Sequence, residues 1–338
     1  SLQKIAKLVI FVIRFIIPVG ISLFLYDFKV SSSNHPFIMN KNLATFLEKS
    51  EEKAFSREHR KRLKFNMRTY HTTVAIGKPQ FKNIEQARAL AKNIKADTIN
   101  NLPALLEAFE AKFTARGGKV IWAEDIAEAQ AAITKIMEEK AAKVVVKSKS
   151  MITEEIQLNQ LLESQDIEVL ETDLGEFIVQ VKGEAPYHIV TPAMHLSKED
   201  IAELFHEKFQ TAPDASPETL TAYVRQVLRE RFAQADIGIS GGNFLLADTG
   251  SMVLVENEGN GRLTTTLPKT HIAIIGIEKM LPSIEDLDLF LPLLSTFGTG
   301  QMTTVYNTIL SGPKQAHEVD GPEDMYVILL VNGRSEVM

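Results

Sequence analysis

Four polar residues directly follow an apolar run in VVVKSKSMITEEIQLN, residues 144–159. Lys147, Ser148, Lys149 and Ser150 come after three valines, and two glutamates follow at a predicted helix start. A strand tip beside the amino terminus of a helix can bind an anion, because backbone N–H groups and the helix dipole point at it. Lys147 could therefore pair with a carboxylate or a phosphate at this point of the chain.

Helix capping explains part of this first cluster. Thr153 can accept backbone N–H bonds, and Glu154 and Glu155 favour the positive end of the helix dipole. Capping does not explain the Lys-Ser pair at the strand tip, or Asn159 on an otherwise apolar helix. A binding role and a capping role both remain open for the cluster.

A second cluster, ETDLGEFIVQ at residues 171–180, again closes a predicted strand. It brings three carboxylates together, those of Glu171, Asp173 and Glu176. Asp173 could equally be a turn residue before Gly175. Taken alone, the segment fits a turn as well as it fits a binding site.

A third cluster, ISGGNFLLADTGSMVLVENEGNGR, occupies residues 239–262 and is rich in glycine and polar residues. Glycines permit unusual backbone angles and close approach to a ligand. A β-hairpin with glycine-rich turns is the simpler explanation. The stretch lacks both the GxGxxG and the GxxxxGK[ST] patterns, which argues against nucleotide binding by those routes.

The sequence gives little support for a metal site or a catalytic site built on histidine. The eight histidines show no HExxH spacing, and no GxSxG elbow is present. His195 follows a predicted strand and His271 begins one, so either could belong to a site. A lone histidine in such a position is more often a hydrogen-bonded structural residue.

Strands and helices alternate through most of the chain, and this alternation must position the three clusters. Helical spacing covers residues 84–116, with Pro103 marking a break between two helices. The pattern predicts an α/β fold with a mostly parallel sheet and helices on both faces, where ligands lie beyond the carboxyl ends of the strands. Strands are predicted at residues 119–122, 143–147, 167–171, 188–191, 237–240, 251–255, 271–275 and 326–331. Further helices are predicted at 125–140, 153–164, 198–209 and 216–235, and a loop or arm at 66–83.

Composition narrows the classes of function. The chain has 338 residues, 45% of them hydrophobic, and a net charge of −6, which gives no reason to propose a nucleic-acid partner. It contains no cysteine, which excludes disulfides, thiolate nucleophiles and iron–sulfur ligation by this chain. We expect a cytoplasmic protein.

The amino-terminal 38 residues differ from the rest. Residues 8–26 are almost wholly apolar and would form a helix ~28 Å long, enough for a membrane span or signal anchor. Arg14 near the middle would cost roughly 2.5–3.5 kcal/mol on insertion, and Pro18 interrupts the run. We interpret residues 1–38 as a non-native extension ahead of a natural start at Met39, with membrane contact only if the segment is native. We then expect a helical or irregular arm at 39–83 and one domain at 84–338.

Several long motifs in a fixed order carry a family resemblance. VVKSKSMITEEIQLN, ETDLGEFIVQ, HIVTPAMH, GNFLLADTGSMVLVENEGNGR and HIAIIGIEKMLP together resemble the LUD-domain family of lactate-utilisation proteins, most specifically its B-type members. The resemblance covers about residues 51–338. It implies a fold like that of sugar-phosphate isomerases and CoA transferases. It also implies a place in a multi-subunit, iron–sulfur-dependent system that oxidises L-lactate to pyruvate.

The family motifs also nominate site residues in this chain. The implied pocket residues of the first two motifs are Lys147, Ser148, Ser150, Met151, Glu154, Glu155, Asn159, Glu171, Thr172, Asp173, Gly175 and Glu176. Those of the third are Gly241, Asn243, Thr249, Gly250, Asn257, Glu258, Gly259, Asn260 and Arg262. His195, His271, Glu278 and Lys279 fall in the shorter motifs.

The sequence departs from the family in two places. Asp248 stands where the family usually has glutamate, which shortens the side chain by one methylene. B-type members continue past the segment at 332–334 into a ferredoxin-like domain with two [4Fe–4S] clusters, and this chain reaches Met338 without a cysteine. The chain is either a fragment or a cluster-free relative. The resemblance therefore places the clusters in a missing carboxyl-terminal domain or a partner subunit.

Three functional hypotheses follow from these residues. In the first, the domain binds a small carboxylate substrate within a complex of lactate-utilisation subunits. Lys147 or Arg262 would pair with its carboxylate, and Glu258 would take the hydroxyl proton. In the second, the domain is a non-catalytic scaffold for electron-transfer partners. In the third, the same fold performs sugar-phosphate or CoA-thioester chemistry, on fold analogy alone. No cofactor or metal is predicted on this chain.

Overall fold

The computed structural model describes residues 41–338, with side chains from residue 43 onward. The chain divides into two compact units, and the second comprises Lys53–Met338. The described part of the first unit, residues 41–52, is helical. The apolar stretch at 8–26 and the proposed start at Met39 lie outside the described residues. Among residues 41–338, no helix is long and apolar enough to cross a membrane.

A six-stranded parallel sheet forms the centre of the second unit, in the order β1-β10-β7-β4-β2-β3. A second sheet of four strands has the order β8-β5-β6-β9. The first sheet contains β1 (Lys119–Ala123), β2 (Val144–Lys147), β3 (Glu168–Glu171), β4 (Ile237–Ser240), β7 (Thr270–Gly276) and β10 (Asp324–Leu330). The second contains β5 (Phe244–Leu246), β6 (Ser251–Glu256), β8 (Met280–Leu281) and β9 (Tyr306–Leu310).

Helices occur in the connections between strands of the parallel sheet, since parallel neighbours need a long crossover. The first seven are α1 (Lys41–Phe55), α2 (Arg57–Gly77), α3 (Ile84–Asn100), α4 (Leu102–Ala115), α5 (Ile126–Lys140), α6 (Met151–Glu155) and α7 (Leu158–Glu163). The others are α8 (Leu174–Lys182), α9 (Lys198–Phe209), α10 (Pro217–Gln234), α11 (Asn260–Thr266), α12 (Leu287–Thr299) and α13 (Arg334–Val337).

Alternating side chains on the strands bury both faces of the parallel sheet. On β7, Ile272 and Ile274 join a core with α5 and α7, whereas Ala273 and Ile275 face α4 and its stacked Phe109–Phe113 pair. Farther along the second face, β2 and β3 pack against α8, α9 and α10. Helices therefore cover both faces, and the predicted α/β fold is confirmed.

Local signals in the sequence explain several helix starts. Asn83 and Asp125 cap α3 and α5 by accepting the backbone N–H three residues ahead. Ser216 caps α10 with Pro217 in its first turn, as predicted. Pro103 lies in the first turn of α4 and separates it from α3, which confirms the predicted break.

The glycine-rich third cluster forms a hairpin, the simpler of its two explanations. Strands β5 and β6 pair antiparallel, with Phe244 opposite Val253. Gly250 closes their turn with φ +61°, and a Cβ there would lie 2.5 Å from the Cβ of Lys112 on α4. Glycine is required here both by the left-handed conformation and by the approach of the helix.

Three local predictions were wrong. The single helix predicted at 153–164 is two short helices, separated at Gln157, which has a left-handed φ of 51°. The strand predicted at 188–191 is an irregular loop in which the ring of His188 accepts the N–H of Val190. The segment at 66–83, predicted as a loop or arm, is mostly the carboxyl-terminal half of α2 and a short 3-10 turn.

Candidate functional site

The first two polar clusters meet at the carboxyl edge of the parallel sheet. Lys147 ends β2 and Glu171 ends β3, and the two residues are register partners across the neighbouring strands. The loops that follow them carry the remaining residues of both motifs to the same edge. This is the edge at which ligands bind in open α/β sheets.

A cleft of about 390 Å³ opens beside this edge. Residues of β6, α11 and α12 line it, together with residues of the loops that follow β2, β3 and β6. Six residues predicted from the sequence line it, namely Ser148, Asp173, Asn243, Asn257, Glu258 and Asn260. The cleft therefore gathers residues from all three motifs.

Lys149 supplies an ammonium group to the lining of the cleft. Its Nζ lies 2.8 Å from Oδ2 of Asp173, and about a quarter of its side chain is exposed. The other carboxylate oxygen of Asp173 caps α8 by accepting the backbone N–H of Glu176 at 3.1 Å. An ammonium has three N–H donors, so Lys149 can bind a ligand while it holds Asp173 in place.

Glu258 faces this ion pair. Although the residue is exposed overall, burial of its carboxyl group against the cleft raises the pKa of Glu258, and the negative charge of Asp173 adds to this effect. Lys149 and the backbone N–H of Leu174 act in the opposite direction. A carboxyl group with a raised pKa is a stronger base than an ordinary carboxylate, which suits it to accept a proton.

Ser148 is a buried polar residue in the wall of the cleft, only 4% exposed. Its backbone N–H donates to the carbonyl of Ile239, whereas its Oγ has no hydrogen-bond partner among residues 41–338. A buried hydroxyl without a partner is rare in folded proteins. This hydroxyl is therefore available to a ligand in the cleft.

The asparagines that line the cleft also hold its walls together. Asn243 accepts the N–H of Val255 at 2.9 Å, and Asn257 accepts that of Val305 at 3.1 Å. Asn260 donates to the hydroxyl of Thr172 at 3.2 Å. Each fixes a loop, so their substitution would disturb the shape of the cleft as well as any ligand contact.

Lys147 lies behind the cleft in a buried network. Its side chain is 1% exposed, and its Nζ contacts Glu171 Oε1 at 2.6 Å, Thr153 Oγ1 at 2.8 Å and Glu154 Oε1 at 3.3 Å. Asn159 donates to the same Glu171 oxygen at 2.9 Å. The structure thus gives Lys147 three intramolecular partners, and the ammonium does not line the cleft.

Glu176 completes this network from the first turn of α8. Burial, together with the charge of Glu171, raises the pKa of Glu176 to about 7, and Lys147 acts in the opposite direction. One ammonium thus stands among three carboxyl groups, those of Glu154, Glu171 and Glu176.

Four of the predicted site residues do not line the cleft and have contacts elsewhere. Arg262 is exposed on α11, with its guanidinium 5.8 Å from the ring centroid of Tyr306. Thr249 and Gly250 form the β5–β6 turn against α4, where Arg116 donates to the carbonyl of Thr249. Glu155 pairs with Arg334 at 2.8 Å. The structure assigns packing and surface contacts to all four.

Three other predicted residues shape the backbone at the sheet edge. Ser150 precedes α6, and a Cβ on Gly241 would lie 2.5 Å from its Oγ, so glycine permits this close approach. Gly259 precedes α11 with a left-handed φ of 82°. Asp248, the residue that departs from the family pattern, accepts hydrogen bonds from Ser283 Oγ and the N–H of Ile284.

Both candidate histidines have hydrogen-bond partners in the fold. His195 contacts Glu184 Oε2 at 2.7 Å and stacks on Tyr187. His271 is fully buried and lies 2.8 Å from Ser240 Oγ, and burial lowers its pKa to about 3. Neither lines the cleft.

A family model decides the classification. The LUD domain matches residues 106–330, a span that contains β1 through β10 and all the residues that line the cleft. This chain belongs to the LUD-domain family. The resemblance expected from the sequence motifs is confirmed.

Curated relatives are similar to this chain over about three quarters of its length. Lactate utilization protein B of Bacillus pumilus is 47% identical over 257 residues, and that of Bacillus subtilis 44% over the same length. Uncharacterized electron transport protein YkgF of Escherichia coli is 43% identical over 254 residues. These alignments cover 75–76% of this chain and 54% of each relative. The chain thus spans about half the length of the curated relatives it matches.

Sequence reasoning missed two components of the LUD-domain cleft. Lys149 was not among the nominated site residues, although it is the lysine that lines the cleft. No signal in the sequence separated it from Lys147, because the burial of Lys147 depends on its contact with Glu171 of the neighbouring strand. The wall from α12, with Leu294, Ser295, Gly298 and Thr299, carried no signal that pointed to the cleft.

Proposed function

We propose that this chain is the LUD-domain part of a subunit that serves L-lactate oxidation, and that its cleft binds a small hydroxy carboxylate. The names of its relatives support a lactate-utilisation role. One observation carries the ligand proposal. The ammonium of Lys149 and the hydroxyl of Ser148 line the same cleft, and this hydroxyl has no hydrogen-bond partner among residues 41–338. An ammonium and a hydroxyl together can hold a carboxylate by charge-assisted hydrogen bonds.

Glu258 supplies the complementary chemistry. Oxidation of L-lactate to pyruvate releases two electrons and two protons. With the carboxylate held at Lys149 and the 2-hydroxyl toward Glu258, Glu258 accepts the hydroxyl proton. The C2–H bond breaks in the same oxidation, and its hydrogen leaves with both electrons, as a hydride equivalent, to a redox acceptor outside this chain. In this assignment Lys149 takes over the carboxylate-binding role first given to Lys147 or Arg262, because neither of those side chains lines the cleft.

Electron transfer requires groups outside this chain. Iron–sulfur clusters are held by cysteine thiolates, and the sequence contains none, so its residues do not fit such a cluster. The relative named as an electron transport protein supports a partner or further segment that carries the electrons. We propose that the cleft presents its ligand to that component, in the cytoplasm.

Calorimetry with L-lactate tests the binding proposal. We expect the unaltered chain to bind L-lactate, and Lys149→Met to weaken binding by about tenfold or more, the loss of one charge-assisted contact. Lys182→Met is the matched control, because Lys182 is similarly part-exposed and paired with Glu184 at 3.1 Å outside the cleft. Equal affinities for the unaltered chain and Lys149→Met would contradict the proposal.

Turnover in the complete lactate-oxidising system tests Glu258. Glu258→Gln should abolish oxidation of L-lactate while the chain remains folded and bound to its partners. Glu207→Gln, an exposed position on α9, is the control and should leave turnover unchanged. Full turnover in Glu258→Gln would remove Glu258 from the mechanism.

A scaffold role is the second candidate, and one observation favours it. The cleft carries three carboxylates, those of Asp173, Glu256 and Glu258, against the single ammonium of Lys149. This excess of negative charge opposes an anionic ligand. If L-lactate binds neither the chain alone nor the chain with its partner subunits, while Lys149→Met disrupts the subunit complex, the scaffold role is the better account.

A further inference from the structure

The buried network behind the cleft contains more negative charge than its lysine can neutralise. Glu154, Glu171 and Glu176 each bring one carboxylate oxygen to within 4.8 Å of the others. Glu171 is 2% exposed and Glu176 is 4% exposed, whereas Glu154 is partly exposed and gives access from solvent. Three oxygens at this spacing can all contact one small ion in their midst.

The ammonium of Lys147 contacts two of these three carboxylates, those of Glu171 and Glu154. Its three contacts are Glu171 Oε1, Glu154 Oε1 and Thr153 Oγ1, which account for the three N–H donors of an ammonium. No contact joins Lys147 to Glu176 among those the structure gives for this lysine. With all carboxyl groups ionised, two negative charges remain in excess of the lysine.

Unpartnered oxygens give an independent indication that a ligand belongs here. Glu171 Oε2 and Glu176 Oε1 are buried and have no hydrogen-bond partner among residues 41–338, and the same holds for Asn159 Oδ1. Buried polar atoms normally have partners, because leaving one without a partner costs about 1–3 kcal/mol. Asn159 already donates to Glu171, so its free carbonyl oxygen lies beside the same cluster.

We propose that Glu154, Glu171 and Glu176, with the carbonyl oxygen of Asn159, form a binding site for one hard divalent cation such as Mg²⁺ or Mn²⁺. All four donors are oxygens, and this donor set suits Mg²⁺ and Mn²⁺ better than the softer metals that prefer histidine or thiolate. A divalent ion would balance the two excess negative charges. It would also give the unpartnered oxygens of Glu171 and Glu176 a partner.

A cation at this position would join elements that contribute to the cleft. Glu171 ends β3, Glu154 and Asn159 lie on α6 and α7, and Glu176 lies in the first turn of α8. Ser148 and Lys149 belong to the loop between β2 and α6, next to these ligands. The ion would therefore hold the cleft loop against α8 without touching the ligand of the cleft.

Manganese binding tests the site without reference to lactate. After treatment with a chelator and its removal, Mn²⁺ is titrated into the full chain, and free Mn²⁺ is followed by electron paramagnetic resonance. We expect one Mn²⁺ per chain, competition by Mg²⁺ and a rise in Tm. Glu176→Gln should lower the affinity by about tenfold or more, since loss of even an outer-shell partner costs this much.

Two further variants keep the test decisive. Glu163→Gln, an exposed position on α7, is the matched control and should bind Mn²⁺ like the unaltered chain. If Glu176→Gln does not fold, Glu154→Gln removes a ligand at the partly exposed edge of the cluster and should show the same loss. Failure of the folded, unaltered chain to bind Mn²⁺ or Mg²⁺, or unchanged affinity in both ligand variants, would overturn the proposal.

Discussion

Two lysines separated by one residue have opposite environments in this protein. Lys147 is 1% exposed and contacts Glu171, Glu154 and Thr153, whereas Lys149 is part-exposed in a cleft and contacts Asp173. A carboxylate that loses a fully buried ammonium keeps an uncompensated charge in the interior. Water can instead take the place of a part-exposed ammonium such as that of Lys149, although its partner Asp173 is itself buried. We therefore propose that the Lys147 network serves fold stability and that the Lys149 cleft serves ligand binding.

Removing each lysine should separate these roles most strongly. Lys147→Met leaves Glu171 buried without its ammonium, and we expect a loss of about 3–5 kcal/mol in the free energy of unfolding. Lys149→Met should cost less, about 1–2 kcal/mol, because water can reach the site of the part-exposed ammonium beside the buried Asp173. Urea denaturation of both variants measures the difference, and equal losses would show that the two environments are not distinct.

Removing one hydroxyl from the Lys147 network and one from the Lys149 cleft should give smaller effects. The first should appear in the free energy of unfolding and the second in the affinity for L-lactate. Thr153→Val removes the hydroxyl 2.8 Å from the ammonium of Lys147 and should destabilise the fold by about 2 kcal/mol, with unchanged affinity for L-lactate. Ser148→Ala removes a hydroxyl without a partner in the described chain, so stability should not fall. Its affinity for L-lactate, measured by calorimetry, should drop about fivefold. A stability loss in Ser148→Ala would place its hydroxyl in the fold instead.

The cleft should also respond to pH through Glu258. The pKa of Glu258 is raised, so its proton is present at acidic pH and is lost as the pH rises through that value. The ionised carboxylate repels the lactate carboxylate, and affinity for L-lactate should fall over this interval. Calorimetry across pH should show the fall in the unaltered chain and a flat profile in Glu258→Gln. Parallel profiles would mean that another group titrates.

The smallest effect is expected at Arg262, which lies outside the cleft. Its guanidinium rests near Tyr306 on the exposed side of α11, so Arg262→Ala should change affinity for L-lactate by less than about twofold. Calorimetry alongside Lys149→Met makes this comparison. A tenfold loss in Arg262→Ala would restore the role that the sequence first suggested for this arginine.

Much of the fold could be predicted because its strands are short apolar runs between helices with clear caps. The local sequence pattern gave the wrong secondary structure where contacts with distant parts of the chain determine it. Residues 188–191 are apolar enough for a strand, yet they form the loop in which Tyr187 stacks on His195. The helix predicted at 153–164 is broken at Gln157, which has a left-handed conformation. Glycine is the usual residue in this conformation, so a glutamine there gives no sign of the break in the sequence.

The candidate site was predicted only in outline. Six residues that the three motifs nominate line the cleft. Those after β2, β3 and β4 meet there because parallel strands deliver their following loops to one edge. The motifs could not distinguish Lys147 from Lys149, since the burial of Lys147 depends on its register partner Glu171 from another strand. Thr249 and Gly250 were nominated with the third motif, but the hairpin carries them to the α4 side of the fold.

A crystal structure of this chain with saturating L-lactate tests the division between the two lysines most directly. We predict lactate in the cleft, with its carboxylate about 2.7–3.2 Å from Lys149 Nζ and Ser148 Oγ, and the Lys147–Glu171 pair unchanged. Lactate bound against Lys147 or Arg262, or at the Thr249–Gly250 turn, would contradict the assignment.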